Sequence, residues 1–187
     1  MARQIQSHAS LARDEARNQM IFDDVLSALE AGRSPVVITE RKDHLQTISE
    51  RLVKFAKNVI VLKGGMKPKE RSLVSEALKA IPGAEERVLV ATGSYLGEGF
   101  DDARLDTLFL TIPISWRGTL AQYAGRLHRL HATKREVVIY DYVDENEPML
   151  AKMAAKREAG YRALGYDVTR AGELFTGDID GLARMSV

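Results

Sequence analysis

The feature that most constrains the fold is an alternation of short, β-branched apolar runs with longer segments of helical periodicity. A strand buried on both faces of a sheet reads as a continuous apolar run, whereas a surface helix repeats apolar residues every three to four positions. The apolar runs lie at residues 35–39, 58–62, 87–92, 105–112 and 136–143. The helical segments between them lie at residues 42–56, 67–80 and 117–131. Strands that alternate with helices predict a parallel sheet that is covered by helices on both faces.

Two further segments flank this α/β pattern. Residues 4–31 read as one helix that stops at Gly32, and residues 147–164 read as a last helix. The chain beyond that helix is rich in Gly and Asp and weakly patterned, which is compatible with partial order and with disorder. We therefore predict a division into an N-terminal helical connector, an α/β domain, and a C-terminal helix with a tail, at residues 1–33, 34–145 and 146–187.

The composition excludes several classes of site. The chain has no cysteine, which rules out disulfides and thiolate metal sites, and its four histidines show no convincing spacing for metal ligands. We therefore predict no metal site. The sequence has neither an apolar run long enough to cross a membrane nor a signal peptide, so we expect a cytoplasmic protein without a membrane partner.

The charge of the chain is nearly balanced. A formal net charge of +1 gives no global field for nucleic acid, so any such binding must come from a local patch. One basic patch without acidic residues is present, and it consists of Arg117, Arg126, Arg129, Lys134 and Arg135.

The helical segment that contains this patch carries the strongest candidate site. Gln122, Arg126 and Arg129 are four and three residues apart, which would bring them onto one helical face. The opposite face would pack on a core, and it is formed by Leu120, Ala124 and Leu127. Two guanidinium groups on such a helix suit phosphate, although a surface helix with solvated arginines is the alternative. Gly125 costs about 1 kcal/mol relative to alanine in a helix interior, which favours a close backbone approach there.

A glycine-rich loop follows the third apolar run. Thr92 and Gly93 lie at the end of that run, where a hydroxyl and exposed amides can hold a phosphate. Glu98 and Asp101 lie further along the loop and are able to accept hydrogen bonds from a sugar. The alternative is a connection that needs glycine only for its turns. Ligands of open α/β sheets bind beyond the carboxyl ends of the strands, so we expect this loop and the arginine helix to meet there.

Four motifs in order resemble those of the second, carboxyl-side RecA-like domain of superfamily 2 helicases and translocases. They are similar to motif IV, the small glycine motif after it, motif V and motif VI: Val36-Val-Ile-Thr-Glu-Arg41, Lys63-Gly-Gly-Met66, Thr92-Gly93 through Gly97-Glu-Gly-Phe-Asp101, and Gln122-Tyr-Ala-Gly-Arg-Leu-His-Arg129. The resemblance covers roughly residues 35–143. Trp116 and Tyr140-Asp-Tyr142 are similar to the branch of type III restriction subunits and DEAD/DEAH-like repair helicases.

This resemblance implies a fold and roles for individual residues. The fold would be a three-layer, RecA-like domain of the P-loop NTPase type, with a mostly parallel sheet of about five or six strands. Arg129 would be an arginine finger on the γ-phosphate of ATP, assisted by Arg126, and Gln122 would order the nucleotide or the attacking water. The nucleotide would also be bound by Glu98, Gly99 and Asp101. The backbone of a nucleic acid, expected to be DNA, would be contacted by Thr39, Arg41, Gly64, Gly65, Thr92 and Gly93.

Half of an ATP site is missing from the sequence. A phosphate loop of the type G-x-x-x-x-G-K-[ST] is required, but the chain contains no Gly-Lys dipeptide. The one look-alike of the acidic Mg²⁺ motif, Asp14-Glu-Ala-Arg17, follows no apolar strand. We therefore expect ATP with Mg²⁺ to be held mainly by a partner, an N-terminal RecA-like domain that carries the phosphate loop. The chain would be part of a longer helicase or a subunit that meets this domain in trans, and alone it should not hydrolyse ATP.

The predicted function is the C-terminal motor domain of an ATP-dependent nucleic-acid helicase or translocase. The alternative is a non-catalytic module of the same fold that binds nucleic acid or protein, although the intact Gln122, Gly125, Arg126 and Arg129 argue against a decayed site. An unrelated α/β hydrolase is disfavoured, because the sequence lacks a G-x-S-x-G nucleophile motif and a paired acid and base at usable spacing.

Overall fold

The computed structural model describes residues 8–97, 102–114, 119–132, 134–170 and 182–186. The helices are α1 Glu15–Glu30, α2 Lys42–Leu52, α3 Pro68–Ala80, α4 Gly93–Gly97, α5 Ala121–Leu127 and α6 Pro148–Ala163. The strands are β1 Pro35–Thr39, β2 Val59–Leu62, β3 Val88–Thr92, β4 Thr107–Leu110, β5 Val138–Asp144, β6 Thr169–Arg170 and β7 Leu182–Ser186. No helix in these described ranges is both long and apolar enough to cross a membrane.

The strands form one sheet in the order β2-β3-β1-β4-β5-β7-β6. The first five strands in that order run parallel, as the alternating pattern predicts. The three central strands β3, β1 and β4 are buried along their whole length, which explains why they read as uninterrupted apolar runs. All five parallel strands therefore end at one edge of the sheet, which we call the carboxyl edge.

Helices cover both faces of the sheet and build two separate cores. On one face, α1 and α2 bury Ile21, Val25, Leu29, Leu45, Ile48 and Leu52 against β1, β3 and β4. On the other face, α5 and α6 bury Tyr123, Ala124, Leu127, Ala154 and Tyr161. This three-layer arrangement confirms the predicted α/β class.

The first helix differs from the prediction of one helix over residues 4–31. Residues 8–12 are helical, but the helix then breaks and α1 begins at Glu15. The break arises because the Asp14 side chain accepts a hydrogen bond of 3.0 Å from the backbone N–H of Arg17, which caps a new helix. Since α1 packs on the sheet, part of the predicted connector shares the core of the domain, and the boundary at residue 33 stays a prediction.

Two large apolar residues in the helical segments predicted at 42–56 and 67–80 lie at the surface. The second helix was predicted to reach residue 56, but α2 ends at Leu52, and Phe55 is 63% exposed with its ring edge-on to Phe22. On α3, Leu73 is 57% exposed, and no residue of that helix is fully buried. Helical periodicity identified both helices, but the register of α3 against the outer strand β2 was not readable from it.

The weakly patterned tail contains two strands that the sequence analysis did not identify. β7 pairs antiparallel with β5, with Tyr140 opposite Ser186, and β6 pairs antiparallel with β7. Arg170 in β6 forms ion pairs with Glu145 and Glu158 at 2.8 and 2.9 Å. The sheet thus has seven strands, five parallel and two antiparallel, where about five or six were expected.

Candidate functional site

The carboxyl edge brings three of the predicted motifs together. β1 and β3 are neighbours with Thr39 opposite Thr92, and β2 lies on the far side of β3 with Leu62 opposite Ala91. β1 and β2 are followed by loops that start with Glu40 and Lys63. β3 is followed directly by α4, which begins at Gly93, where a loop was predicted. The three segments therefore emerge side by side. The parallel sheet therefore places these three motifs, which are separate in sequence, on a single surface.

The glycine turn after β2 is joined directly to the end of β3. The backbone N–H of Gly64 donates to the Thr92 hydroxyl at 2.7 Å. A Cβ atom at Gly64 would overlap the Ser94 hydroxyl and lie 3.3 Å from the Thr92 hydroxyl oxygen. Gly65 has a φ of 80°, a left-handed conformation that favours glycine. Glycine is thus favoured at position 65 by the backbone conformation and at position 64 by the neighbouring Ser94 side chain, and the N–H of Gly64 joins the turn to Thr92.

Gly93 is enclosed by two side chains that the sequence analysis did not select. The Tyr123 hydroxyl donates to the Gly93 carbonyl at 2.8 Å, and a Cβ atom at Gly93 would lie 2.6 Å from that hydroxyl and overlap the Glu40 carboxylate. Burial, and then the charge of Glu40, raise the pKa of Tyr123 to about 12, against a smaller opposing effect of Arg126. Burial also raises the pKa of Glu40. Tyr123 therefore remains a hydrogen-bond donor at neutral pH and joins α5 to the loop after β3.

A sequence signal for Tyr123 was available. It lies with Leu120, Ala124 and Leu127 in the pattern of a buried helical stripe, at i, i+3, i+4 and i+7. A buried tyrosine hydroxyl needs a hydrogen-bond partner, so a tyrosine in such a stripe predicts a polar contact with the core. Glu40 had no comparable signal.

Thr39 and Arg41, at the end of β1, lie in different environments. Thr39 is 1% exposed, and its hydroxyl is 3.0 Å from His44 Nδ1 and 3.3 Å from the backbone nitrogen of Arg41. The Arg41 guanidinium is partly exposed and pairs with Asp43 at 2.6 and 3.0 Å. This hydrogen-bonded pair lowers the pKa of Asp43 to about 2. Direct contact of either residue with nucleic acid stays a prediction.

The arginine helix is shorter than the predicted 117–131. Its apolar face is as predicted, since Leu120, Ala124 and Leu127 are at most 2% exposed. However, α5 ends at Leu127, so Arg129 follows the helix and does not lie on it. Gln122 and Arg129 are exposed and Arg126 is half-buried. The expectation of a close approach at Gly125 was wrong for the part of the chain that the structure describes, because a Cβ atom there would have open space around it.

The turn that carries Arg129 is held by residues further along the chain. Lys134 Nζ donates to the carbonyl oxygens of Leu127 and Arg129 at 2.7 and 2.8 Å, which satisfies carbonyls left unpaired at the end of α5. Burial lowers the pKa of this lysine. The Tyr166 hydroxyl is 2.7 Å from Nε2 of His128. Lys134, counted from the sequence in a basic surface patch, therefore turns inward and fixes the backbone next to Arg129.

Two buried arginines, also missed from the sequence, anchor the helices near this edge. Arg157 on α6 makes two hydrogen bonds to the Asp141 carboxylate at 2.6 and 2.9 Å, and Tyr161 donates to the same group at 3.0 Å. Arg17 on α1 donates to the carbonyl oxygens of Thr111 and Tyr142. In Tyr140-Asp-Tyr142, the aspartate is thus an internal ion-pair partner.

Part of the predicted site lies outside the described residues. Glu98, Gly99 and Asp101, predicted to bind nucleotide, and Trp116 fall in this group, so their roles stay predictions. Within the described ranges, no cluster of acidic or histidine side chains could hold a metal ion. The described residues 119–132 carry the two arginines and Gln122 but no carboxylate, a donor set that fits a phosphate group.

Comparison with protein families and curated sequences places this geometry among known proteins. Residues 18–131, more than half of the chain, match the family described as Helicase conserved C-terminal domain. The transcript termination protein A18 of Yaba monkey tumor virus is 26% identical over 132 residues, covering 69% of this chain and 27% of the relative. The protein of the same name from fowlpox virus is 27% identical over 137 residues, covering 72% and 29%. The chain thus spans between a quarter and a third of the length of these relatives.

Solved structures share the same fold. T4 UvsW superimposes with a TM-score of 0.65 at 15% identity, covering 84% of this chain and 34% of that one. The C-terminal domain of the DEAD-box protein Dbp5 gives a TM-score of 0.54 at 20% identity, covering 76% and 77%. At such identities the likeness concerns the fold alone, and it confirms the predicted RecA-like architecture.

Proposed function

The chain belongs to the helicase conserved C-terminal domain family, and from this premise we propose that it is the second motor domain of an ATP-dependent helicase or translocase. A C-terminal helicase domain implies an N-terminal helicase domain as its partner. We propose that this partner carries the phosphate loop and that the two domains share one ATP site. The pair would move along a nucleic acid, which we expect to be DNA.

One observation carries this proposal: the loop after β3 and the arginine helix are tied together at the carboxyl edge. Tyr123 on α5 donates to the Gly93 carbonyl, and Thr92, one residue earlier, accepts the backbone N–H of Gly64. Gly93 is therefore one hydrogen bond away from the helix proposed for ATP, and the glycine turn at Gly64 is joined to the same helix through a second hydrogen bond to Thr92. A motor domain needs such a connection, because nucleotide state and grip on the strand must change together.

The groups proposed to hold the nucleic acid suit its backbone. Gly65 has open space where a Cβ atom would lie, which allows close approach of a phosphate to the chain. Arg41, which is partly exposed and pairs with Asp43, supplies a guanidinium at the same edge of the sheet. Thr39 and Thr92 are buried, so we propose that their hydroxyls hold these loops in shape. Contacts to phosphate and sugar position a strand without reading its sequence.

The other half of the proposal concerns ATP with Mg²⁺, whose phosphoanhydride supplies the chemical step when it is bound by the partner domain. Arg129 would stabilise negative charge on the γ-phosphate, with Arg126 beside it, and Gln122 would orient the nucleotide or a water molecule. Lys134 fixes the backbone on either side of Arg129 and so limits where its guanidinium can reach. We propose Glu98, Gly99 and Asp101 for the sugar side of the same nucleotide.

Within the family, we propose the branch of type III restriction subunits and repair helicases for this chain. Support for it is limited to the sequence of Trp116 and Tyr140-Asp-Tyr142. The poxvirus relatives are named transcript termination proteins, so a role in transcript termination is the competing assignment.

The test restores the missing half of the site. The chain is fused behind a phosphate-loop helicase domain, and phosphate release is measured with and without single-stranded DNA. We expect DNA-stimulated hydrolysis, a loss of about 10³-fold or more for Arg129→Ala, and no rescue by Arg129→Lys, because lysine lacks the forked donors.

Arg162→Ala is the matched control, since this exposed arginine on α6 pairs only with Glu158 among the contacts described. The fusion protein should keep its activity with this change. A folded fusion that binds DNA but hydrolyses ATP equally well with and without Arg129 would favour a non-catalytic binding module instead.

A further inference from the structure

His44 lies at the centre of a buried polar chain that the proposed contacts do not include. It is 1% exposed, in the first turn of α2, and its ring touches two other elements. Nδ1 is 3.0 Å from the hydroxyl of Thr39 at the end of β1, and Nε2 is 2.9 Å from Oδ1 of Asn18 on α1. Both ring nitrogens of this buried histidine therefore have a polar partner, one on β1 and one on α1.

The directions of the hydrogen bonds around His44 follow from the bond at the Asn18 end of the series. Asn18 Nδ2 donates to the carbonyl of Ala12 at 3.1 Å, so Asn18 Oδ1 faces His44 and must accept from Nε2–H. In a neutral ring Nδ1 then carries no proton, and it accepts from the Thr39 hydroxyl. The Thr39 oxygen is left to accept the backbone N–H of Arg41 at 3.3 Å. This order of donors and acceptors excludes the neutral Nδ1–H form of His44 and fits the neutral Nε2–H form with Thr39 as the donor.

The surroundings of the ring favour that neutral form. Burial is the main cause that lowers the pKa of His44 to about 4, and the positive charges of Arg17 on α1 and Arg41 on its own loop act in the same direction. Asp43 opposes them with an effect that is smaller than that of Arg17 and larger than that of Arg41. At neutral pH the ring is therefore uncharged, and its hydrogen bond to Asn18 places the proton on Nε2.

This series of hydrogen bonds connects two places that are far apart in sequence. Ala12 closes the short helical stretch that precedes α1, whereas Arg41 starts the loop at the carboxyl edge. We propose that His44 is a positioning residue that couples the N-terminal segment, residues 8–18, to the backbone of Arg41 on the nucleic-acid face. This inference rests on the proposed function, because the position of Arg41 affects binding only if Arg41 contacts nucleic acid. Movement of residues 8–18 would therefore be transmitted through the His44 ring to the proposed contact between Arg41 and nucleic acid.

Three substitutions separate coupling from packing. His44→Asn places an amide oxygen near the Nδ1 position and keeps an acceptor for Thr39 but loses the bond to Asn18. His44→Leu removes both bonds, and Asn18→Ala removes the far end without touching Arg41. Gln19→Ala is the matched control on α1, because Gln19 is exposed and lies outside the polar chain.

The first measurement uses nuclear magnetic resonance on the whole chain at pH 7. We expect His44 to be in the Nε2–H form, and we expect Asn18→Ala to shift the Arg41 amide resonance and speed its hydrogen exchange. Gln19→Ala should do neither. An Nδ1–H or doubly protonated ring, or an Arg41 amide unchanged in folded Asn18→Ala, would overturn the coupling. Asn18→Ala keeps this test valid if His44→Leu does not fold.

The second measurement is the Kd for a fluorescein-labelled 20-nucleotide thymidine strand. We expect Asn18→Ala and His44→Asn to weaken binding by about threefold to tenfold, the effect of one lost hydrogen bond, and Gln19→Ala to leave it unchanged. Equal affinities would overturn the link to binding. If the wild-type chain does not bind the strand while the Arg41 amide still responds to Asn18→Ala, the nucleic-acid role fails and the coupling stands.

Discussion

At the scale of single residues, the carboxyl edge is shaped by atoms that leave no room for a side chain. Gly93 lies against the Glu40 carboxylate and the Tyr123 hydroxyl, and Gly64 lies against Ser94. Gly83 provides the contrast, because a Cβ atom there would meet nothing within 4 Å. Glycine is therefore required at some loop positions of this chain by packing and is optional at others.

We expect Gly93→Ala to destabilise the chain by about 1–3 kcal/mol, the usual cost of forcing an extra carbon into a packed site. The added Cβ atom would displace the Tyr123 hydroxyl, which lies 2.6 Å away. Urea unfolding checks this, and Gly83→Ala is the control that should leave the midpoint within about 0.5 kcal/mol of wild type. Equal effects of the two changes would mean that the loop after β3 adapts freely.

A second residue-scale prediction concerns the pH dependence of stability through His44, whose pKa is lowered from 6.5 to about 4 in the folded chain. Below pH 6.5 the unfolded chain binds a proton on this ring, whereas the folded chain does not until about pH 4. Its contribution to the free energy of unfolding is complete above pH 6.5 and is lost as the pH falls towards 4, on the order of 2–3 kcal/mol. Urea unfolding between pH 4 and 7 should show this slope, and a folded His44→Gln chain should show a flatter one. Parallel curves would contradict it.

At the scale of elements, the apolar face and the carboxyl end of α5 are fixed by different contacts. Its apolar face is buried in the core, while its carboxyl end depends on Lys134 and on the contact between Tyr166 and His128. α6 is fixed by the pair of Asp141 and Arg157. Positions of helices at this edge are thus set by a few polar contacts made to backbone or buried charge.

We expect Lys134→Met to free the turn at Arg129 and to cost about 1 kcal/mol, because the carbonyls of Leu127 and Arg129 lose a charged donor. Amide hydrogen exchange of residues 128–131 should quicken in the variant. Arg135→Met is the control, since Arg135 is exposed and adjacent. Unchanged exchange in Lys134→Met would show that the turn is held without the lysine.

Breaking the buried ion pair of Arg157 and Asp141 should reduce the stability of the folded chain by a larger amount. Arg157→Met alone leaves the Asp141 carboxylate uncompensated inside the protein, which costs about 3–5 kcal/mol in such sites. Adding Asp141→Leu should recover much of this loss, because replacing both charges removes the unpaired one. Chemical denaturation of the single and double variants checks it, and a double variant no more stable than the single one would contradict the explanation.

The sequence predicted the elements better than their ends. β1 was predicted at its observed residues, and the apolar face of α5 was predicted correctly, because period and β-branched content are local properties. The break before Glu15 was missed although its cap is local, since Asp14 and Arg17 are three residues apart. The inward turn of Lys134 was missed because it depends on carbonyls that only the folded end of α5 presents. The motif residues were placed on one edge by topology, whereas Tyr123, Glu40 and His44 entered the site only through contacts between elements.

At the scale of the whole molecule, the sequence lacks the phosphate loop that the proposed nucleotide site requires. No Gly-Lys dipeptide is present to form a phosphate loop, so we expect no ATP hydrolysis above background by the isolated chain. Phosphate release from chain alone, with single-stranded DNA added, checks this. Sustained turnover that disappears with Arg129→Ala would mean that the chain completes the site itself, for example by self-association.

The pairing of β7 with β5 has a consequence for the integrity of the sheet. Residues close to the carboxyl end of the chain cover the edge of a strand that otherwise would present unpaired N–H and C=O groups from Tyr140 to Asp144. A chain cut after Arg170 would therefore expose a ready template for strand addition. Such a shortened protein should associate with itself in size-exclusion chromatography as its concentration rises. The last strand would therefore protect against aggregation independently of the surfaces proposed for ATP and nucleic acid.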